Sequence, residues 1–218
     1  MNDKFNAMEI TSHDYYFDRM SHYAEHEDIM RDHTRTNTYL NMILKNKESI
    51  KDKVVLEIGC GTGLFSMLLA KMGAKKVIAV DSSNIIANAK AIIADNKFTD
   101  IITCIKGVVG KDLVILPDNL PSVDIILCEW YGHTLYQDNR IAQVIYAREH
   151  WGQNAIILPN QVDLYMLAVE DQEYKYEKFD YWDNVYGFDM SPIKRLSQQE
   201  PLIDSISTKQ ILSDEICI

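Results

Sequence analysis

From Lys53 onward, short apolar runs alternate with segments of helical period, and this alternation restricts the fold more than any other feature of the chain. The runs are VVLEI (54–58), VIAV (77–80), IITCI (101–105), VDIILCEW (123–130) and AIIL (155–158), with helices predicted over 64–72, 84–96 and near 139–151. Strands this short and this continuously apolar are buried on both faces, which requires a parallel sheet with helices packed on each side. The prediction is a doubly wound α/β domain over residues 51–158.

Two different textures flank it. Residues 14–45 hold no Gly or Pro, and their apolar positions recur every three to four residues, which predicts a helical cap within residues 1–50. Pro159 ends the alternating pattern, and VDLYMLAV (162–169) reads as a strand with a different partner. The segment 171–200 is dense in Tyr, Trp and Phe. Such a segment either packs within its own chain or is offered to a partner, and the residues by themselves favour self-packing.

With 218 residues, 47% hydrophobic and 25% charged, the chain can bury one substantial core and part of a second domain. A formal charge of -10 argues against direct nucleic-acid binding, which needs clustered Lys and Arg, and suits a cationic partner or simple solvation. Cys60, Cys104, Cys128 and Cys217 show neither a C-x-x-C pair nor histidines at zinc spacing, so reduced thiols are expected and no metal. No apolar run approaches the roughly 18 residues of a membrane span, and the N-terminus lacks the basic and apolar regions of a signal peptide. A soluble protein of the cytoplasm, the nucleus or both is expected, with no membrane partner.

The turn after the first run reads EIGCGTG, with Glu57 closing the strand and Gly59, Gly61 and Gly63 leading into the next helix. Glycines there let the backbone approach a ligand. Asp81, at the end of the second run and eighteen residues after Gly63, is placed to accept hydrogen bonds from ribose hydroxyls. Together these point to an adenosine-containing cofactor. The third glycine that a dinucleotide's pyrophosphate requires is Leu64 here, so the spacing is the methyltransferase form, and S-adenosylmethionine fits better than a nicotinamide cofactor. The plainer alternatives are an ordinary β-to-α turn for the glycines and a helix N-cap before Ser82 and Ser83 for Asp81. Glu57 either caps the loop or meets a ligand's ammonium.

Further along, VDIILCEWYGHTLYQD resembles the paired-acid loop of protein arginine methyltransferases of the type I kind. Similar segments recur along nearly the whole chain: DYYFDRM, EHEDIMRDHTRT, KDKVVLEIGCGTG, ILPNQVDLYMLAVED and YWDNVYGFDMSPI. The resemblance implies a seven-stranded-type, Rossmann-like sheet that binds S-adenosylmethionine. It also implies a helical cap before the sheet and, over 159–218, part of a β-barrel carrying a helical dimerisation arm at about 171–200. That arm replaces self-packing as the expectation for the aromatic segment, with a homodimer or heterodimer as its product.

The implied reaction is methyl transfer to arginine side chains of basic or Gly-Arg-rich proteins. A guanidinium is planar, permanently charged and presents five donors that suit paired carboxylates. By gripping two nitrogens, Glu129 and Asp138 would leave the third aimed at the sulfonium methyl, so catalysis is mostly positioning and electrostatics. For the cofactor, the resemblance matches His26, Arg35, Glu57, Gly59, Gly61 and Asp81, with Arg35 on the methionine carboxylate. It leaves only a backbone contact to adenine, from Val109.

Four features depart from the family pattern. The second acid is Asp138 instead of glutamate, shorter by ~1.5 Å of reach, and misplacements of ~1 Å can cost ~100-fold in rate. Met20 stands where the family has its second tyrosine, Arg140 stands where a methionine is usual, and most of the barrel with its Thr-His-Trp loop does not appear. These motivate an alternative from another class, a regulatory or scaffold relative that keeps the fold without strong catalysis.

Overall fold

The computed structural model describes residues 19–110, 122–132, 135–136, 140–200 and 204–218. The expected helical start at 14–18, the turn-rich stretch through Pro117 and Pro121, and Asp138 fall outside these residues. The chain divides into two compact units, Met1–Val162 and Asp163–Ile218.

In the first unit, the stretch expected to be helical over 14–45 is divided at Asp32. Helix α1 (Tyr23–Arg31) ends there, α2 (His33–Lys45) begins, and a short α3 (Lys47–Ile50) follows. The Asp32 carboxylate accepts the Arg35 backbone N–H at 3.0 Å, so one of the orphan donors at the start of α2 is satisfied by the residue that interrupts the run.

All five predicted strands form: β1 (Val54–Ile58), β2 (Lys76–Asp81), β3 (Ile102–Lys106), β4 (Ile125–Cys128, shorter than the expected 123–130) and β5 (Ile156–Leu158). They make one parallel sheet in the order β3-β2-β1-β4-β5. Helices α4 (Leu64–Lys71), α5 (Ile86–Asp95) and α6 (Ile141–Trp151) connect them. Successive residues of a strand face opposite sides, and the core divides accordingly. Val55, Val77, Ala79, Ile125 and Leu127 pack with Tyr39, Ile43, Leu69 and Ile93, whereas Val54, Leu56, Ile78 and Ile126 pack with Val144 and Ala147. The molecule is therefore a doubly wound, Rossmann-like α/β domain. After β5 the chain enters the second unit and adds no strand to this sheet, which holds five strands among the described residues.

The order of connection reverses between β1 and β4, where crossovers to β2 and to β5 leave on opposite sides. In open α/β sheets, ligands bind in the crevice beyond the carboxyl ends of the strands at such a point. Here that crevice lies between Gly59, following β1, and Glu129, following β4, whose preceding residues Ile58 and Cys128 pair in register.

In the second unit the strand expected over 162–169 is reduced to β6 (Tyr165–Met166), antiparallel to β7 (Ile216–Cys217), with an isolated bridge between Val169 and Ile211. The ladder is interrupted where the Ala168 N–H turns to the Ser213 hydroxyl at 2.9 Å instead of to a strand carbonyl. The aromatic segment folds as α7 (Gln172–Lys178), a 3-10 turn (Asp180–Asp183) and α8 (Ser191–Ser197). Lys194 fastens the last two, donating to Asp180 at 2.8 Å and Asp183 at 2.9 Å. Tyr176, Tyr186, Phe188 and Leu196 are exposed. All four cysteines are unbridged, and no described helix is long and apolar enough to cross a membrane.

Candidate functional site at the carboxyl edge of the sheet

Gly59, Gly61 and Gly63 all have positive φ (79°, 53° and 84°), the left-handed region that side chains rarely adopt. A Cβ on Gly59 or Gly61 would also stand 3.1 Å from the Arg140 or His26 side chain, respectively. The loop is thus an open floor whose nearest neighbours are movable side chains. Its backbone donors are already committed: the Gly59 and Cys60 N–H groups bond the Val80 carbonyl at 2.8 and 3.0 Å, Gly63 bonds Cys60, and Gly61 bonds Asp81 Oδ2 at 2.9 Å. A pyrophosphate would find no donor at these four positions. A cofactor without phosphates meets no such obstacle, so the residues fit S-adenosylmethionine.

Asp81 takes the cap-like role and adds one that the sequence did not suggest, as an anchor of the glycine loop. Oδ1 accepts the Ser83 N–H at 2.9 Å and the Ser83 hydroxyl at 2.7 Å, the cap-like arrangement, while Oδ2 anchors the glycine loop. An ionised carboxylate has about four lone-pair sites, so acceptor capacity remains for a diol at the end of β2.

His26, on α1, is buried with its ring against Gly61, and its Nε2 bonds the Met20 carbonyl at 2.8 Å. Val109 is buried and its N–H donates to Gln143 Oε1 at 3.3 Å, so the backbone donor expected near adenine is already engaged by α6.

Glu57 lies deeper than its position at the strand end suggests. The residue is 3% exposed, and its carboxyl accepts a hydrogen bond from the Ser66 hydroxyl on α4. Burial pushes its pKa up to about 8, with the nearby negative charge of Asp81 raising it further and the Ser66 bond opposing the rise. The folded state therefore binds a proton that the unfolded chain, at 4.5, releases earlier, so stability falls as pH rises from about 4.5 to about 8. Glu57→Gln is expected to flatten that decline. Urea unfolding of both proteins at pH 5 and at pH 8 tests it, and an equal loss in each would exclude Glu57 as the source.

Arg35 and Glu129 are brought together across the crevice. Arg35 Nε lies 3.0 and 3.1 Å from the two Glu129 oxygens, and Nη2 lies 2.5 Å from Oε2. An aromatic frame holds the pair. The Arg35 guanidinium sits 5.5 Å from the Tyr39 ring and 5.8 Å from the Phe65 ring, and those rings stack at 5.3 Å. The Tyr39 and Tyr131 hydroxyls are 3.2 Å apart, and Tyr131 donates to Glu129 Oε1 at 3.5 Å. A cavity of about 380 Å³ opens beside the two tyrosines, lined also by Thr38, Met42 and Pro159. Sequence reasoning did not find Tyr39, Phe65, Ser66 or Tyr131. The available signal was the spacing of Arg35 and Tyr39, which puts both on one face of α2.

A doubly wound sheet with a donor-saturated glycine loop, an acid at the end of β2 and a carboxylate gripping a guanidinium at the switch point defines a methyltransferase-type domain. Residues 55–148 match the methyltransferase domain model, and residues 160–218 match the arginine methyltransferase oligomerization subdomain. Protein arginine N-methyltransferase 1 of Chlamydomonas reinhardtii is 48% identical over 204 residues, covering 93% of this chain and 58% of that protein. Its namesake in Caenorhabditis elegans is 43% identical over 206 residues, covering 94% and 59%. Among solved structures, the Trypanosoma brucei PRMT1 enzyme-prozyme heterotetrameric complex with AdoHcy aligns with a TM-score of 0.85 at 39% identity, covering 91% of this chain and 61% of that one. Arabidopsis thaliana protein arginine methyltransferase 10 shares the fold, with a TM-score of 0.78 at 24% identity over 93% of this chain and 63% of that one. The chain belongs to the protein arginine methyltransferase family, and it spans less than two thirds of the length of these relatives.

Proposed function

We propose that the chain transfers methyl groups from S-adenosylmethionine to guanidinium nitrogens of arginine residues in basic or Gly-Arg-rich proteins of the cytoplasm or nucleus. The observation that carries this reading is the state of Glu129. Its carboxylate, at the switch point beside the glycine loop, already grips a guanidinium through two donors of one edge. A side chain shaped and framed to hold Arg35 in this way can hold a substrate arginine by the same geometry.

In this reading Gly59 and Gly61 form the floor for the cofactor, Asp81 takes the ribose hydroxyls, His26 closes the loop side and Val109 borders the adenine. Glu129 occupies the Nε and Nη2 edge of Arg35, and the remaining donors of that guanidinium serve the methionine carboxylate. The cofactor supplies an electrophilic methyl on a positively charged sulfur. Glu129, with Asp138 assisting, localises the positive charge of the substrate on the nitrogens it grips and leaves the third nitrogen's electron pair for the methyl carbon. Bound there, S-adenosylmethionine would give up its methyl to that nitrogen and leave as S-adenosylhomocysteine, with the C–S electron pair kept on sulfur. The methylated nitrogen then becomes acidic enough to lose its proton without a strong base.

The second unit is read as the arm through which the chain pairs with a second subunit, using the exposed Tyr176, Tyr186, Phe188 and Leu196. One observation favours a second reading, a regulatory subunit of an active relative: Arg140 projects its guanidinium over Gly59, into the crevice itself. Incubating the purified chain with S-adenosylmethionine and a Gly-Arg-rich peptide tests between them. Release of S-adenosylhomocysteine that depends on the peptide supports the enzyme, and cofactor binding without release supports the regulatory subunit.

A further inference from the structure

Glu129 is approached by a donor other than Arg35. Tyr131, two residues on, brings its hydroxyl to 3.5 Å from Glu129 Oε1, and the Tyr39 hydroxyl lies 3.2 Å from that of Tyr131. A phenol has one proton to give, so while Tyr131 donates to Glu129 it accepts from Tyr39. Tyr39 is 6% exposed, and burial holds its phenol protonated well above the ordinary tyrosine range, with the bond to Tyr131 adding to the shift. The relay therefore runs from Tyr39 to Tyr131 to Glu129 Oε1. Both ends are anchored. Tyr39 belongs to α2 and stacks on Phe65 at 5.3 Å. Tyr131 meets the Trp130 ring edge-on at 6.2 Å, and the Trp130 indole N–H donates to the Pro159 carbonyl at 2.8 Å.

Arg35 and the tyrosines meet the carboxylate differently. Arg35 Nε reaches both oxygens and Nη2 reaches Oε2, whereas Tyr131 reaches Oε1 alone. Under the enzyme reading above, on which this step rests, a substrate guanidinium competes with Arg35 for these oxygens. A carboxylate held by Arg35 only would turn as that hold is shared, and small misplacements are costly in rate. We propose that Tyr131 is a positioning residue for methyl transfer, with Tyr39 acting through it, and that their hydroxyls keep Glu129 aimed into the crevice while Arg35 and the substrate share it. The contact between the two hydroxyls also ties α2 to the segment after β4 independently of the ion pair.

Tyr131→Phe, Tyr39→Phe and the double variant remove the hydroxyls and keep the rings. Labelled-methyl transfer to a Gly-Arg-rich peptide, with calorimetry of S-adenosylmethionine and urea unfolding on the same preparations, tests the assignment. A hydrogen bond to a charged group contributes more than one between neutral groups. The expected result is a kcat about tenfold lower in Tyr131→Phe and about threefold lower in Tyr39→Phe, with peptide KM and cofactor affinity within about threefold of wild type. Because Tyr39 acts through Tyr131, the double variant should fall no further than Tyr131→Phe. Tyr39→Phe reads the same relay from its far end should Tyr131→Phe not fold. A kcat within about twofold of wild type in both single variants, or losses that multiply in the double variant, overturns the relay and leaves the enzyme reading intact. A fall in kcat that only follows a matching fall in cofactor affinity and unfolding midpoint also overturns it, since the hydroxyls are then structural. Cofactor binding without transfer by the folded wild type overturns the enzyme reading itself, and the role of Tyr131 with it.

Discussion

Replacing Glu129 with glutamine is expected to lower methyl transfer to an arginine peptide by about 100- to 1,000-fold, the usual cost of removing one preorganised electrostatic contact. Glutamine keeps the size and one acceptor oxygen but loses the charge, and an amide nitrogen facing a guanidinium is donor against donor. The same change leaves Arg35 without its carboxylate. Because both side chains are about a quarter to a third exposed, at 24% and 30%, solvent screens that loss, and folding should survive it. Cofactor affinity is expected to hold within tenfold, since the donors of Arg35 that serve the methionine carboxylate are not those that Glu129 holds. Labelled-methyl transfer beside calorimetry on the same preparation separates the two effects, and transfer persisting near the wild-type rate removes Glu129 from the role of orienting the substrate.

Asp81→Ala should act on binding more than on turnover. The carboxylate holds the Gly61 N–H on one oxygen and the Ser83 N–H and hydroxyl on the other. Alanine leaves the Gly61 donor without an acceptor in a loop whose positive φ is maintained by such contacts. Hydrogen bonds to a charged group contribute roughly 1.5–3 kcal/mol each. Loss of the loop anchor together with the ribose contact therefore predicts about 100-fold weaker S-adenosylmethionine binding. A lower unfolding midpoint in urea should accompany it. If binding is unchanged while stability falls, Asp81 is a structural cap alone.

The sheet was legible because its strands are short apolar runs buried on both faces, and a run such as VVLEI admits few other readings. The break at Asp32 was not, because no Gly or Pro marks it, and the aspartate interrupts the helix by satisfying the next one's backbone. The β6 strand was overestimated for a related reason. Apolar content at 162–169 shows that the segment can pair, but where the ladder stops depends on the Ser213 hydroxyl, 45 residues from Ala168. At the site, the glycine loop and Asp81 were readable from spacing. That Asp81 serves the loop and the cap at once depends on β1 and β2 being neighbours. The Arg35–Glu129 pair joins residues 94 apart, and only the strand order brings α2 over the end of β4. The depth of Glu57 was not readable from its place in EIGCGTG, because the hydroxyl that donates to it belongs to Ser66, in the first turn of α4.

The most direct test of the whole account is transfer of labelled methyl from S-adenosylmethionine to a Gly-Arg-rich peptide, beside the same peptide with every arginine changed to lysine. Glu129 is shaped for a planar fork that an ammonium cannot mimic. The predicted result is label on the arginine peptide alone, lost in Glu129→Gln. Label on both peptides, or on neither with folded, cofactor-binding protein, would contradict it.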